Sequence, residues 1–202
     1  TSSQNHGLMF QGSLNPAQNG LWYMGEGGWT PSFGPESLPG KYAFGGFYYG
    51  TPAGQATWGG STASGQYGFY AQADQMLYRE ASTGSAADLT PQGLNTFNLF
   101  FFTTSETKAD VYPFYFQSGL VYTGLLPRRD LDLAMISLGC GVYSQATGAP
   151  SRTQTAVLEG AYRWQVNGWF YAQPFFQYFS RPDGTSSVDN AGILGITVGT
   201  VF

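Results

Sequence analysis

The side chains able to do chemistry in this chain sit at even spacings. Gln72 and Asp74 are two residues apart. Glu159 and Arg163 are four apart, as are Gln173, Gln177 and Arg181, and Glu26 stands alone among glycines. In an extended chain an even spacing places side chains on one face. A row of carboxylates, amides and guanidinium groups on one face exchanges hydrogen bonds with water or a solute. It is not a nucleophile with its base. His6 is the only histidine and lies in a polar lead-in, where a residue at a strand start is the simplest reading. No G-x-S-x-G occurs, so acyl-transfer chemistry has no support. Cys140 is the single cysteine, which excludes an intrachain disulfide and a thiolate metal cluster. It is read as a small packing residue. No metal site and no cofactor are expected, and the chain is not read as an enzyme. Eight basic against twelve acidic residues give a net charge of −4, with no electrostatic footprint for nucleic acid.

The elements that position these residues are strands. From Gln154 to Phe202 three strand-length segments follow one another, separated by Asn167-Gly168 and a polar loop, DGTSSVD. Leu158, Gly160, Tyr162, Trp164 and Val166 share one face, and Glu159, Ala161, Arg163 and Gln165 share the other. In the last segment Leu194, Ile196, Val198, Thr200 and Phe202 share a face. A soluble antiparallel sheet produces the same alternation. The chain is, however, 17% aromatic and only 10% charged, where an average soluble domain carries about 25% charge. Trp169, Phe170 and Tyr171 sit just beyond a tight turn, where transmembrane barrels place their aromatic girdles. No apolar stretch of about 18 residues is present for a membrane helix, and a barrel needs none. An antiparallel transmembrane β-barrel is therefore preferred to a soluble carbohydrate-binding β-barrel or sandwich.

Taken in order, the chain supplies about ten strands of roughly barrel length. They begin with residues 6–15, 20–29 and 41–50. Residues 30–40 and 51–64 are expected to be connections. In the next strand Tyr67, Phe69, Ala71 and Ala73 face one way and Gln66, Gly68, Tyr70, Gln72 and Asp74 the other, until the alternation slips before Arg79-Glu80. A fifth strand holds Phe100, Phe101 and Phe102. The sixth is expected to place Tyr112, Phe114, Phe116, Leu120 and Tyr122 on one face, with Tyr115, Gln117 and Thr123 opposite. The seventh, DLDLAMISLGCGVYS, is apolar on both faces and its orientation stays open. The tight turns and the longer loops then fall at opposite ends, periplasmic and extracellular. The connection at 81–92 is long for the periplasmic end.

Ordered along the chain are Glu26; Leu38-Pro39-Gly40-Lys41-Tyr42 with Gly45-Gly46; and Asp74-Gln75 with Leu77-Tyr78-Arg79-Glu80. Then come Gly119-Leu120-Val121-Tyr122, Gly124, Pro127, Arg129 and Asp132; and Glu159, Tyr162, Gln173-Pro174, Gln177-Tyr178, Pro182 and Gly184. This set resembles the C-terminal part of the carbohydrate-selective porin family, OprB type. Asp130, Phe175 and Thr197 depart from its pattern, and Thr197 removes a positive charge otherwise expected in a pore.

The resemblance implies a sixteen-stranded barrel integral to the bacterial outer membrane, in contact with its lipid and assembled as a homotrimer. It implies passive diffusion of small sugars such as glucose. This chain would be a single barrel domain over 1–202, the C-terminal part of a longer porin. Glu26, Gln72, Asp74, Glu159, Arg163, Gln173, Gln177 and Arg181 are then the expected pore-lining residues. The alternative for the arginines is structural pairing with Glu159 or Asp132. Arg129 and Asp132 are expected to flank a periplasmic turn. Phe202, the terminal aromatic, resembles the outer-membrane assembly signal. Most aromatic rings are expected on the lipid side.

Overall fold

The computed structural model describes residues 21–57, 60–81, 91–103, 112–144 and 152–200. Among these it holds ten strands and no helix. They are β1 (Leu21–Trp29), β2 (Ser32–Phe33), β3 (Leu38–Ala56), β4 (Thr62–Arg79), β5 (Gly93–Thr103), β6 (Phe114–Thr123), β7 (Leu133–Val142), β8 (Gln154–Gln165), β9 (Phe170–Ser180) and β10 (Ala191–Thr200). All pairings are antiparallel between chain neighbours, in the order β1-β3-β4-β5-β6-β7-β8-β9-β10, with β2 held on β3. The result is an all-β meander in one layer. Its edges, β1 and β10, do not pair with each other among the described residues.

The register sorts every side chain to a face, because directly opposed residues point the same way. One row across the sheet runs Lys41, Asp74, Phe97, Gly119, Ser137, Glu159, Gln177, Ile193. The row one residue away runs Tyr42, Ala73, Asn98, Ser118, Leu138, Leu158, Tyr178, Gly192. The first belongs to a polar face and the second to an apolar face. Glu26, Lys41, Asp74, Arg79, Glu159 and Arg163 are the charged residues within the described strands, and all fall on the polar face. Chance alternation would scatter them over both.

The apolar face is not covered by a second layer. Phe44 is 62% exposed, Ile136 52%, Ile196 67% and Leu194 82%. The buried hydrophobic residues among those described are only Ala43, Met76 and Tyr143. A soluble sandwich must bury one face of each sheet against another layer. Contiguous apolar surface of this extent marks contact with lipid or protein. At mid-depth the apolar face carries one polar group of its own. Ser118 Oγ donates to Asn98 Oδ1 at 2.7 Å. Asn98 Nδ2 donates to Ala73 O and to Thr96 Oγ1, both at 3.3 Å. Thr96 Oγ1 donates to Gly119 O at 3.0 Å. The group satisfies itself, which makes its presence in an apolar setting tolerable.

Several sequence expectations change. The stretch 51–64 is largely strand, because β3 runs to Ala56 and β4 starts at Thr62. Its Pro and Gly residues fall at a register shift between Gly50 and Gln55, where a missing N–H and an irregular ladder cost least. The connection at 30–40 contains β2 and gives way to β3 at Leu38. The slip after Asp74 is a bulge at Leu77, since Met76 opposes Asn95 but Tyr78 opposes Leu94. β7 is oriented by pairing with Glu159: Ser137, Gly139 and Gly141 face the polar side. Tyr112 does not join Phe114 and Phe116. Pro113 precedes the first residue of β6, and the Tyr112 ring turns onto the polar face over Gly141. The expected strand at 6–15 with His6, Phe202 and the loop residues 82–90, 104–111 and 145–151 lie outside the described residues.

Candidate functional site

Glycines decide the shape of the polar face. A Cβ at Gly45 would lie 2.3 Å from the Tyr70 ring, at Gly68 2.7 Å from Phe47, and at Gly195 2.4 Å from Phe175. In each case the ring belongs to the residue directly opposite on the next strand. A ring can lie flat along the wall only where its cross-strand partner has no side chain. Tyr171 lies the same way over Gly199 and Phe97 over Gly119. Phe47 and Phe101 stack across Gly68 with centroids 5.8 Å apart and planes at 16°. Several rings thus line the polar face, while the register places most of the strand aromatics on the apolar face, as expected. The signal was present as glycine and aromatic residues on neighbouring strands, but only the register joins them.

Where β6 to β9 meet, the polar face carries a cavity of about 400 Å³. Gly139 and Gly141 floor it, and Tyr115, Gln117, Ser137, Glu159, Gln177 and Phe179 rise around it. Gln177 Nε2 donates to Glu159 Oε2 at 2.6 Å. Tyr115 donates to Gln117 Oε1 at 3.2 Å. The cavity's end nearer the long loops is closed by a chain of hydrogen bonds, Tyr112 OH to Tyr143 OH at 3.0 Å and Tyr143 OH to Pro182 O at 3.3 Å. Donors, acceptors and ring surface therefore converge in one depression, as in sites for small polar molecules. Among the described residues no group of His, Cys, Asp and Glu is placed to hold a metal ion.

The sequence-selected residues distribute as follows. Glu26, Gln72, Asp74, Glu159, Arg163, Gln173 and Gln177 all stand on the polar face, and Glu159 and Gln177 meet in the cavity. Glu26 accepts from Tyr70 OH at 2.5 Å. Asp74 stands opposite Lys41 and, with Gln72, is exposed. Arg163 pairs with neither Glu159 nor Asp132; its guanidinium lies 3.8 Å from the centroid of the Tyr171 ring. Its Nε is buried without a hydrogen-bond partner. Arg181 sits one residue past β9, in a left-handed turn (φ 50°), at the rim and not in the wall. Its N–H donates to Asn190 Oδ1 at 3.0 Å. Ser137 was missed because β7 could not be oriented from its own residues. Tyr115 and Gln117 were placed on the right side by alternation, but nothing local tied them to Glu159.

Arg129 and Asp132 build a latch at the short-turn end. Arg129 donates through Nε and a terminal nitrogen to both Asp132 oxygens, each at 2.7 Å. Asp132 is 2% exposed and also accepts from Tyr162 OH at 2.5 Å and from the Gln165 N–H at 2.8 Å. Arg129 further donates to Gln165 O at 2.8 Å and lies over the Trp164 ring. One carboxylate thereby joins the β6–β7 turn to the end of β8. Burial pushes the Asp132 carboxyl up. The hydrogen bonds from Arg129, Tyr162 and the Gln165 N–H outweigh it and hold the group below the ordinary carboxylate range.

The family model described as "Carbohydrate-selective porin, OprB family" matches residues 1–202. Porin B of Pseudomonas aeruginosa is 27% identical over 208 residues, covering 86% of this chain and 44% of that protein. The high pH structure of Pseudomonas putida OprB aligns with a TM-score of 0.75 at 22% identity, over 89% of this chain and 48% of that one. At that identity the likeness speaks for the fold alone. The chain spans about half the length of these relatives.

Proposed function

The chain belongs to the carbohydrate-selective porin family, OprB, a family of outer-membrane β-barrels, and from that membership we propose that its polar face lines a passive path for small sugars such as glucose. The sheet is then part of the wall of a larger barrel, closed by strands beyond β1 and β10. The short-turn end is periplasmic and the long-loop end extracellular. Outer-membrane lipid and two further copies in a homotrimer cover the apolar face. The observation that carries this reading is the sorting of every charged strand residue to one face while large apolar side chains stand exposed on the other. Passage needs groups that replace a sugar's hydration in turn and release it. Glu26, Gln72, Asp74, Glu159, Arg163, Gln173 and Gln177 supply such groups along the wall, with Arg181 at its mouth. The channel does this without a catalytic step.

The test is swelling of liposomes carrying the whole porin polypeptide, with glucose against a trisaccharide. Glucose influx above that of protein-free liposomes is expected, with slower entry of the trisaccharide. Glucose influx no faster than in empty liposomes would overturn the reading. Arg163→Ala in planar bilayers is expected to move the zero-current potential of a salt gradient toward cation preference, since it removes a positive charge from the path. Cross-linking in detergent should trap a three-copy species.

A further inference from the structure

We propose that the wall cavity between β6 and β9 is a charge-reading sugar subsite, which favours amine-bearing and neutral pyranoses and disfavours carboxylated or phosphorylated ones. The inference rests on the sugar-channel reading above and adds to it the class of sugar that the wall selects. Its volume of about 400 Å³ admits a single hexose ring. The Phe179 ring offers an apolar surface for the C–H face of a pyranose. Gln117, Ser137 and Gln177 offer neutral donors and acceptors for hydroxyl groups.

The discriminating group is Glu159. Among the described residues it is the only charged one lining the cavity. Gln177 holds Oε2 at 2.6 Å, which fixes the carboxylate and leaves Oε1 to accept from a hydroxyl or an ammonium group. None of the described cations forms an ion pair with it. Arg163 is four residues along β8, roughly 13 Å at strand rise, and its guanidinium is engaged by Tyr171. Arg152 lies over Tyr143, and Arg181 reaches toward Thr153 Oγ1. Thr153 is six residues from Glu159, roughly 20 Å along the strand. Arg152 bears on the cavity only at its loop end, through Tyr143 and Tyr112. A ligand seated beside Glu159 therefore meets its carboxylate, with Gln177 and Ser137 as neutral neighbours. A uronate or sugar phosphate placed there would set two negative groups in contact.

The test is sugar-induced block of single-channel current through the whole porin in planar bilayers, with glucose, glucosamine and glucuronate as probes. It is run on wild type, on Glu159→Gln and on Ser137→Val. Wild type is expected to be half-blocked by glucosamine at a concentration about two- to fivefold below that for glucose, with glucuronate weakest. Glu159→Gln keeps the size of the side chain and its contact with Gln177. It is expected to bring the three probes together. Ser137→Val leaves the charge and fills polar space, so it should weaken block by all three alike and keep their order. If glucose passes and the order of probes in Glu159→Gln equals that in wild type, the cavity is not the discriminating subsite and the inference is refuted. If no sugar enters wild type in liposome swelling, the channel reading itself fails, and the subsite falls with it.

Discussion

Replacing Asp132 by Asn should loosen the short-turn end of the barrel more than any other single change of equal size. The carboxylate accepts from Arg129 twice, from Tyr162 and from the Gln165 N–H. An amide offers one acceptor oxygen. Its NH2 would face either the Arg129 Nε and Tyr162 donors or the Arg129 terminal nitrogen and the Gln165 N–H. Two hydrogen bonds become donor-to-donor contacts, and the guanidinium loses its counter-charge. Hydrogen bonds to charged groups contribute about 1.5–3 kcal/mol each, and breaking a buried pair from one side costs about 3–5 kcal/mol. Asp132 is 2% exposed but the Arg129 side chain is 34% exposed, so the smaller figure applies. The assay is urea unfolding of the whole porin in lipid vesicles, followed by tryptophan fluorescence and by the heat-modifiable gel shift. A loss of about 1.5–3 kcal/mol is expected. The same series across pH checks the cause. The folded-state pKa lies below the unfolded value of about 3.9, so the stabilisation is present above that value and is lost as pH falls through the folded pKa. Asp132→Asn should show no such loss. A cost below about 1 kcal/mol, the size of an ordinary exposed pair, or an unchanged acid limb in the variant, would refute the latch.

Further outcomes follow from the same geometry. Gly195→Val drives a side chain into the Phe175 ring and should cost about 1–3 kcal/mol, with most of it recovered in the Gly195→Val/Phe175→Ala pair in a double-mutant cycle of urea midpoints. Ser118→Ala leaves Asn98 Oδ1 without its 2.7 Å donor in the apolar layer and should cost about 1–3 kcal/mol by the same unfolding assay. Phe202→Ser should lower the yield of heat-modifiable barrel in the outer membrane. An unchanged yield would remove the terminal aromatic from the assembly signal.

The residues revealed what is local and hid what depends on register. Alternation alone sorted Glu159 and Arg163 from Leu158 and Trp164, because strand periodicity is written into neighbouring positions. It could not orient β7, where Ile136, Leu138 and Cys140 alternate with Ser137, Gly139 and Gly141, since glycine and small residues suit either face. It misplaced Tyr112, because Pro113 ends the strand before that position. It read 51–64 as a loop from its prolines and glycines, although a bulge accommodates them within a long hairpin. The wall cavity was out of reach. It joins β6, β7, β8 and β9, and no spacing within one segment reports that Ser137 stands opposite Glu159.

The flat rings have a consequence for descent. A tyrosine or phenylalanine on this wall and the glycine beneath it form a two-letter word: enlarging the glycine collides with the ring, and shrinking the ring uncovers bare backbone. Neither letter is free to drift while the other stays. Among relatives, Gly45 with Tyr70 and Gly195 with Phe175 should be kept or lost together. An alignment read for such paired losses would recover the strand register without a structure.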